Sequence, residues 1–266
     1  TGKMGGLFAR VLERAGYRVR CTGSRGPYTN RELAEESDLV VVSVPIRSTV
    51  PVIREIASVL SEDQLLCDLT SLKVEPVRAM LASRARVVGL HPMFGPSAGS
   101  LRNQLVVATP ARVDPESLES LLEIFRREGA RTVLATPEEH DRMMAVVQGL
   151  VHFSTLCMAE AMRRQGVDIR SALAFTSPIY RIELGLVGRL LSQDPDLYGD
   201  MLQLNPFVPE VLAAFRGAAG DLSAIVEGGD LPAFRAFFGA NARKYADYSP
   251  QAAEETDALI QFLVNR

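Results

Sequence analysis

The chain has 266 residues, of which 47% are hydrophobic, 23% charged and 6% aromatic, with no Trp. At about 100 to 200 residues per domain this is one large domain or two modest ones, each able to bury a core, which excludes a disordered or fibrous chain. The 29 Lys and Arg against 32 Asp and Glu leave a formal charge of −3, so no cationic excess is available to neutralise a run of phosphates, and nucleic acid is not an expected partner. Cys21, Cys67 and Cys157 are odd in number and widely spaced, without CxxC or histidines at metal-ligand spacing. That usage fits a reducing cytoplasm and no metal site. No apolar run is read as approaching the roughly 20 residues of a membrane span, and the opening residues do not read as an export signal, so a soluble protein without a membrane partner is expected.

The chain opens with Thr1-Gly2-Lys3-Met4-Gly5-Gly6, followed by an amphipathic stretch that puts Leu7, Phe8, Val11, Leu12 and Ala15 on one stripe. The run GYRVR at 16–20 reads as the next strand. This is the back half of a GxGxxG dinucleotide loop: Gly2 would let the backbone approach a pyrophosphate, Gly5 would let the helix pack closely, and Lys3 and Met4 share the turn. The first glycine and first strand are missing from the sequence, so residues upstream of Thr1 are expected. After the second strand, where NAD enzymes place an acid for the ribose hydroxyls, the chain has Thr22-Gly23-Ser24-Arg25. A hydroxyl and a guanidinium at Ser24 and Arg25 suit a 2′-phosphate, so NADP stands beside NAD as the expected cofactor.

Further strands are read at LVVVSV (39–44), QLLCD (64–68), RVVGL (86–90), QLVVA (104–108) and RTVLA (131–135). Most are apolar on both faces, as in a parallel sheet with crossover helices. A helix at 117–127 carries Leu118, Leu121, Leu122 and Phe125 on one stripe. After Thr136-Pro137 the strand signal stops and helical periodicities run to the end. The reading is a Rossmann-like α/β dinucleotide-binding domain over 1–136 and an all-α domain over 137–266. The second half, with the stripe Met143, Val147, Leu150, Val151, Ser154 and Met158, has more apolar surface than one small helical layer hides, so a homodimer through it is expected.

DLTSLK (68–73) ends one strand and GLHPMFGP (89–96) the next. Ligands of open α/β sheets collect at the carboxyl ends of strands, so the Ser71 hydroxyl, the Lys73 ammonium and the His91 imidazole should converge on one crevice. A histidine at a strand end suits a proton acceptor titrating near neutral pH. In the helical half His140, Gln148 and His152 form one group. Arg181 and Arg189 are eight residues apart, so they share a face if one helix covers both, and two guanidiniums there could grip two carboxylates. The plain alternative for them is surface pairing with Glu183.

VSVPI (42–46), DLTSLK, GLHPMFGP, EHD (139–141), Gln148, His152-Phe153, SPIYRIEL (177–184) and GRLLSQDPDLYGD (188–200) together resemble the prephenate dehydrogenase family, most like the bacterial type fused behind a chorismate mutase segment, dehydrogenase portion only. The resemblance covers nearly the whole chain in order. It implies NAD(P)-dependent oxidative decarboxylation of prephenate to 4-hydroxyphenylpyruvate in tyrosine biosynthesis. It puts the catalytic histidine on His91 and its hydrogen-bonding serine on Ser71. The ring-carboxylate arginine falls on Arg189, with Arg181 supporting it, and His152, His140 and Gln148 fall at the substrate. Ser43, Val44 and Pro45, in the strand-end turn of VSVPI, join Gly2, Lys3, Met4, Gly5, Ser24 and Arg25 as cofactor residues. Arogenate and 4-amino-4-deoxyprephenate are alternative substrates. A β-hydroxyacid or 6-phosphogluconate type dehydrogenase is disfavoured because no Lys lies between His140 and His152. A non-catalytic dinucleotide-binding regulator is the alternative of another class.

Overall fold

The computed structural model of the chain describes residues 2–23 and 26–265. By internal contacts it divides into two compact units, one comprising residues 1–145 and 196–207, the other residues 146–195 and 208–266.

The first unit is a five-stranded sheet in the order β1-β2-β3-β4-β5, formed by Leu39–Val42, Leu65–Asp68, Arg86–Pro92, Leu105–Arg112 and Arg131–Leu134. All five strands fall where apolar runs predicted them. Pairing is parallel except between β3 and β4, which run antiparallel. The sequence reading of a wholly parallel sheet is corrected there. Residues 93–104 hold only a single 3-10 turn, Pro96–Ala98, and a parallel partner would have needed a crossover of a dozen or more residues, usually a helix.

Side chains alternate across the sheet, and each face has its own core. On one, Leu65, Cys67, Val88, Leu90, Val106 and Ala108 meet α1 (Lys3–Arg14) and α5 (Pro115–Arg127), where Phe8 and Phe125 pack edge to face at 5.6 Å. On the other, Leu66 and Val87 meet Ile53 and Ile56 of α3 (Ile46–Ile56) and Val77 and Met80 of α4 (Val74–Met80), while Ala34 of α2 (Asn30–Glu35) closes the edge. The expected stripes of α1 and α5 are these core residues, with Leu118 partly buried, except that Ala15 is an exposed C-cap.

Residues 17–20 are not a strand. This segment has no regular structure and is mostly exposed, and no strand lies beside it among the described residues, so there is no ladder to complete.

A capping box places the start of α6 (Pro137–Met144): Thr136 Oγ1 accepts from the Glu139 N–H, and the Glu139 carboxylate accepts from the Thr136 N–H at 2.8 Å. A π-helical turn, Ala145–Leu150, joins α6 to α7 (Val151–Arg164). By internal contacts the compact units part inside this helical run, after Ala145. Most of α10 (Pro195–Leu204) also belongs to the first unit, held by Arg47 Nε on Asp200 at 2.6 Å and Asn205 Nδ2 on the Asp141 carbonyl at 2.8 Å.

The second unit is helical, with α7, α8 (Ile169–Leu173), α9 (Pro178–Leu191), α11 (Val208–Glu227), α12 (Leu231–Lys244) and α13 (Ser249–Val264). It exposes large apolar side chains, among them Phe175 (91%), Phe238 (65%) and Phe262 (63%). The run Pro137–Arg164 is helical for 28 residues with a window of mean hydropathy 1.3, long and apolar enough by length and composition to cross a membrane. This corrects the reading that no run approaches that length. The buried residues of this run, among them His140, Asp141, Met144 and Ala145, lie near its start, and 17% of the apolar window is buried.

Candidate active site

β2 and β3 end side by side, and the residues that follow them build the site. Asp68, the last residue of β2, is fully buried and accepts from Lys73 Nζ at 2.5 Å and from the Thr70 N–H at 3.0 Å. Lys73 Nζ also donates to the Leu90 carbonyl at 2.8 Å, so the ammonium ties the end of β2 to β3 immediately before His91. Burial pushes the Asp68 carboxyl up and the Lys73 ammonium down, each opposed by the other's charge. The expectation that Lys73 presents its ammonium to a crevice is therefore corrected: its side chain is 0% exposed. Gly89 makes the room. A Cβ there would collide with Thr109 Oγ1 and lie 3.0 Å from the Lys73 stem.

His91 occupies the end of β3 and is buried, at 3% exposure, against another imidazole. Its Nδ1 lies 2.8 Å from His140 Nε2, with the ring centroids 5.0 Å apart. His140 Nδ1 in turn lies 2.7 Å from Asp141 Oδ1. The Asp141 carboxylate accepts the Lys73 N–H at 2.8 Å and the Val74 N–H at 2.9 Å, which fastens α6 to the start of α4. Burial first, and then the neighbouring His140 and the Lys73 cation, hold the His91 imidazole well below its ordinary pKa. The ring is thus a neutral acceptor near pH 7. Ser71, half-buried, stands in the turn between Thr70 and α4.

At the other side of β1, α1 begins at Gly2, an N-cap with no side-chain cap bond and open space where a Cβ would stand. Lys3 is exposed and Met4 packs on the core. Gly5 is where α1 meets the turn after β1: a Cβ would lie 3.2 Å from Ser43 Oγ and 3.3 Å from Ser43 Cβ. Val44 and Pro45 continue that turn into α3. An uncapped helix N-terminus beside a strand-end turn suits a pyrophosphate. A pocket of about 320 Å³ is lined by residues that include Gly23, Gly26, Tyr28 and Glu55. Ser24 and Arg25 themselves lie outside the described residues.

The other expected site residues belong to the second unit. One helix, α9, carries both Arg181 and Arg189, as the eight-residue spacing required, and both are exposed. Neither makes an ion pair with Glu183 among the described residues. Gln148 lies in the π turn, half-buried. His152, on α7, is also half-buried, and burial lowers its pKa. His140, grouped from sequence with these, instead belongs to the first unit. The sequence reading missed Asp141 and Asp68 as site residues. Their one signal was that both sit in runs already singled out, EHD and DLTSLK.

The family model described as "Prephenate dehydrogenase, nucleotide-binding domain" matches residues 11–134, and that described as "Prephenate dehydrogenase, dimerization domain" matches residues 136–240. The chain belongs to the prephenate dehydrogenase family. This family member is 34% identical over 289 residues to a probable arogenate/prephenate dehydrogenase of Methanocaldococcus jannaschii, covering 99% of this chain and 65% of the relative. It is 37% identical over 261 residues to the T-protein of Enterobacter agglomerans, covering 98% of this chain and 69% of that one. The chain thus spans about two thirds of the length of these relatives. In fold it is similar to the prephenate dehydrogenase of Aquifex aeolicus solved with hydroxyphenyl propionate and NAD+, with a TM-score of 0.71, 20% identity and coverage of 91% of this chain and 94% of that one. The Rossmann-like first unit is accordingly a nucleotide-binding domain, and the helical half carries the family's dimerisation domain.

Proposed function

We propose that this protein catalyses NAD(P)-dependent oxidative decarboxylation of prephenate to 4-hydroxyphenylpyruvate and carbon dioxide, in the cytoplasm and as a homodimer. The observation that carries the reading is His91: an imidazole at a strand end of a nucleotide-binding sheet, kept neutral by burial and a neighbouring cation. Bound NAD(P) supplies the hydride acceptor. As hydride leaves the ring carbon that bears the hydroxyl, His91 takes the hydroxyl proton, so positive charge does not build up on that oxygen. The Ser71 hydroxyl hydrogen-bonds the same oxygen. The ketone then stands across the ring from a quaternary carboxylate, which departs as carbon dioxide because the ring becomes aromatic. The resemblance assigns Arg189, supported by Arg181 on the same helix α9, to the substrate's carboxylates and His152 and Gln148 to substrate binding, contacts that would orient the ring. The N-terminus of α1 from Gly2 to Gly5, with Ser43 to Pro45, would hold the cofactor's pyrophosphate.

Arogenate is the second reading, favoured by the name of the Methanocaldococcus relative. One assay separates them: purified protein with NAD and with NADP, each against prephenate, arogenate and 4-amino-4-deoxyprephenate, followed at the reduced nicotinamide absorbance. Reduction with prephenate is expected. Reduction with none of the three leaves a non-catalytic nucleotide-binding protein and overturns the proposal. His91→Asn should lose roughly 10²-fold or more in kcat with little change in KM, the size of a general-base contribution. Full turnover in that variant removes His91 from the chemistry.

A further inference from the structure

We propose that His140 and Asp141 are positioning residues, a buried pair that sets which nitrogen of His91 is the base and receives the charge that forms on it. The inference rests on His91 as the proton acceptor, and it moves His140 from the substrate pocket to a place behind the catalytic ring.

The argument is one of donors and acceptors. Asp141 is surrounded by donors: the Lys73 and Val74 N–H groups at 2.8 and 2.9 Å, and His140 Nδ1 at 2.7 Å. Two backbone N–H groups have no other form, so the carboxyl is an acceptor and His140 Nδ1 must carry a proton. A neutral His140 then has its lone pair on Nε2, the atom that meets His91 Nδ1 at 2.8 Å. One of two nitrogens in a hydrogen bond must donate, so His91 carries its proton on Nδ1. Its lone pair is left on Nε2. The same chain held by a protonated His140 would put the His91 proton on Nε2 and abolish the base.

All links of this chain lie in the first unit. Both ends are anchored: Asp141 by the start of α4 and by Asn205 Nδ2 on its carbonyl at 2.8 Å, His91 by the β3 ladder. His140 is 2% exposed with both ring nitrogens engaged, which leaves it no face for substrate. During turnover the substrate hydroxyl proton goes to His91 Nε2. The imidazolium so formed donates Nδ1–H to His140, whose own Nδ1–H points at the Asp141 carboxylate.

The chain has three histidines. Nitrogen-15 labelling of histidine in this 266-residue chain therefore gives three assignable rings, and long-range nitrogen–proton spectra near neutral pH read which nitrogen of each is protonated. Expected are His91 and His140 protonated on Nδ1 alone. His91 protonated on Nε2, or His140 on both nitrogens, overturns the proposal whatever the activity. His140→Gln and Asp141→Asn should each lower kcat by on the order of 10² to 10⁴, the upper value being the fall seen when the orienting acid of a Ser-His-Asp triad is neutralised, with KM nearly unchanged. Both should move the His91 ring from one tautomer to a mixture while the His152 signal stays in place. Wild-type turnover in both variants, or lost turnover with the His91 tautomer intact, overturns the positioning role. Failure of the base assignment looks different: His91→Asn keeps its turnover while the wild-type spectrum is as expected.

Discussion

The His91 imidazole carries its function in its protonation state, and that state has a measurable cost. Burial together with the charges of its neighbours holds its pKa well below the ordinary value of 6.5, so it is neutral in the folded chain at a pH where an unfolded histidine is half protonated. The sign follows from proton binding. Above pH 6.5 neither state binds the proton and stability is unaffected. As pH falls below 6.5 the unfolded chain takes up a proton that the folded one refuses, so stability drops until the folded-state pKa is reached. His152, lowered by burial alone, adds to the same slope. Urea midpoints measured from about pH 7.5 down to pH 5.5 should therefore fall more steeply in the wild type than in His91→Asn. Parallel slopes would show that His91 titrates normally. The acid limb of kcat should likewise lie below pH 6.5.

At the scale of elements, the site depends on how β2, β3, α4 and α6 are fastened together, and the fastening is ionic. Lys73 and Asp68 are both 0% exposed, and Asp68 Oδ1 has no hydrogen-bond partner among the described residues. Removing the cation leaves a buried carboxylate uncompensated, so Lys73→Met should cost about 3 to 5 kcal/mol, read as a fall in the urea midpoint. Adding Asp68→Asn to that variant removes the stranded charge and should recover part of the loss. If the single variant is as stable as the wild type, the pair does not hold the strands. The elements themselves were legible because local pattern determines them: QLLCD and RVVGL are apolar on both faces and became buried strands, LVVVSV became the half-buried strand β1 at the end of the sheet order, and the stripe Leu7, Phe8, Val11 and Leu12 became the buried face of α1. What escaped depends on partners distant in sequence. The direction of β4 follows from what lies between it and β3. Residues 17–20 alternate as a strand would, yet no strand lies beside them among the described residues. Asp141, in a helix that opens with Glu138 and Glu139, reads as one more acid favoured near an N-terminus. Only the fold reveals that it receives two N–H groups of a segment 67 and 68 residues away.

On the scale of the whole molecule, the two units differ in how completely they cover their apolar surface. In the first, both faces of the sheet are packed under helices. In the second, α7, α12 and α13 have no buried residue, and Phe175, Phe238 and Phe262 are each more than half exposed. A monomer rarely leaves so much large apolar surface in water, whereas a closed two-fold assembly hides the same patch on both copies at once. The family's dimerisation domain lies in this half of the chain. Light scattering of the full chain at micromolar concentration should therefore give twice the monomer mass of 29.0 kDa. If the exposed phenylalanines are what joins the copies, Phe175→Asp and Phe238→Asp together should shift the particle toward monomer, while the first unit, whose core lies elsewhere, keeps its secondary structure. A wild-type monomer at that concentration would leave the surface without its expected cover.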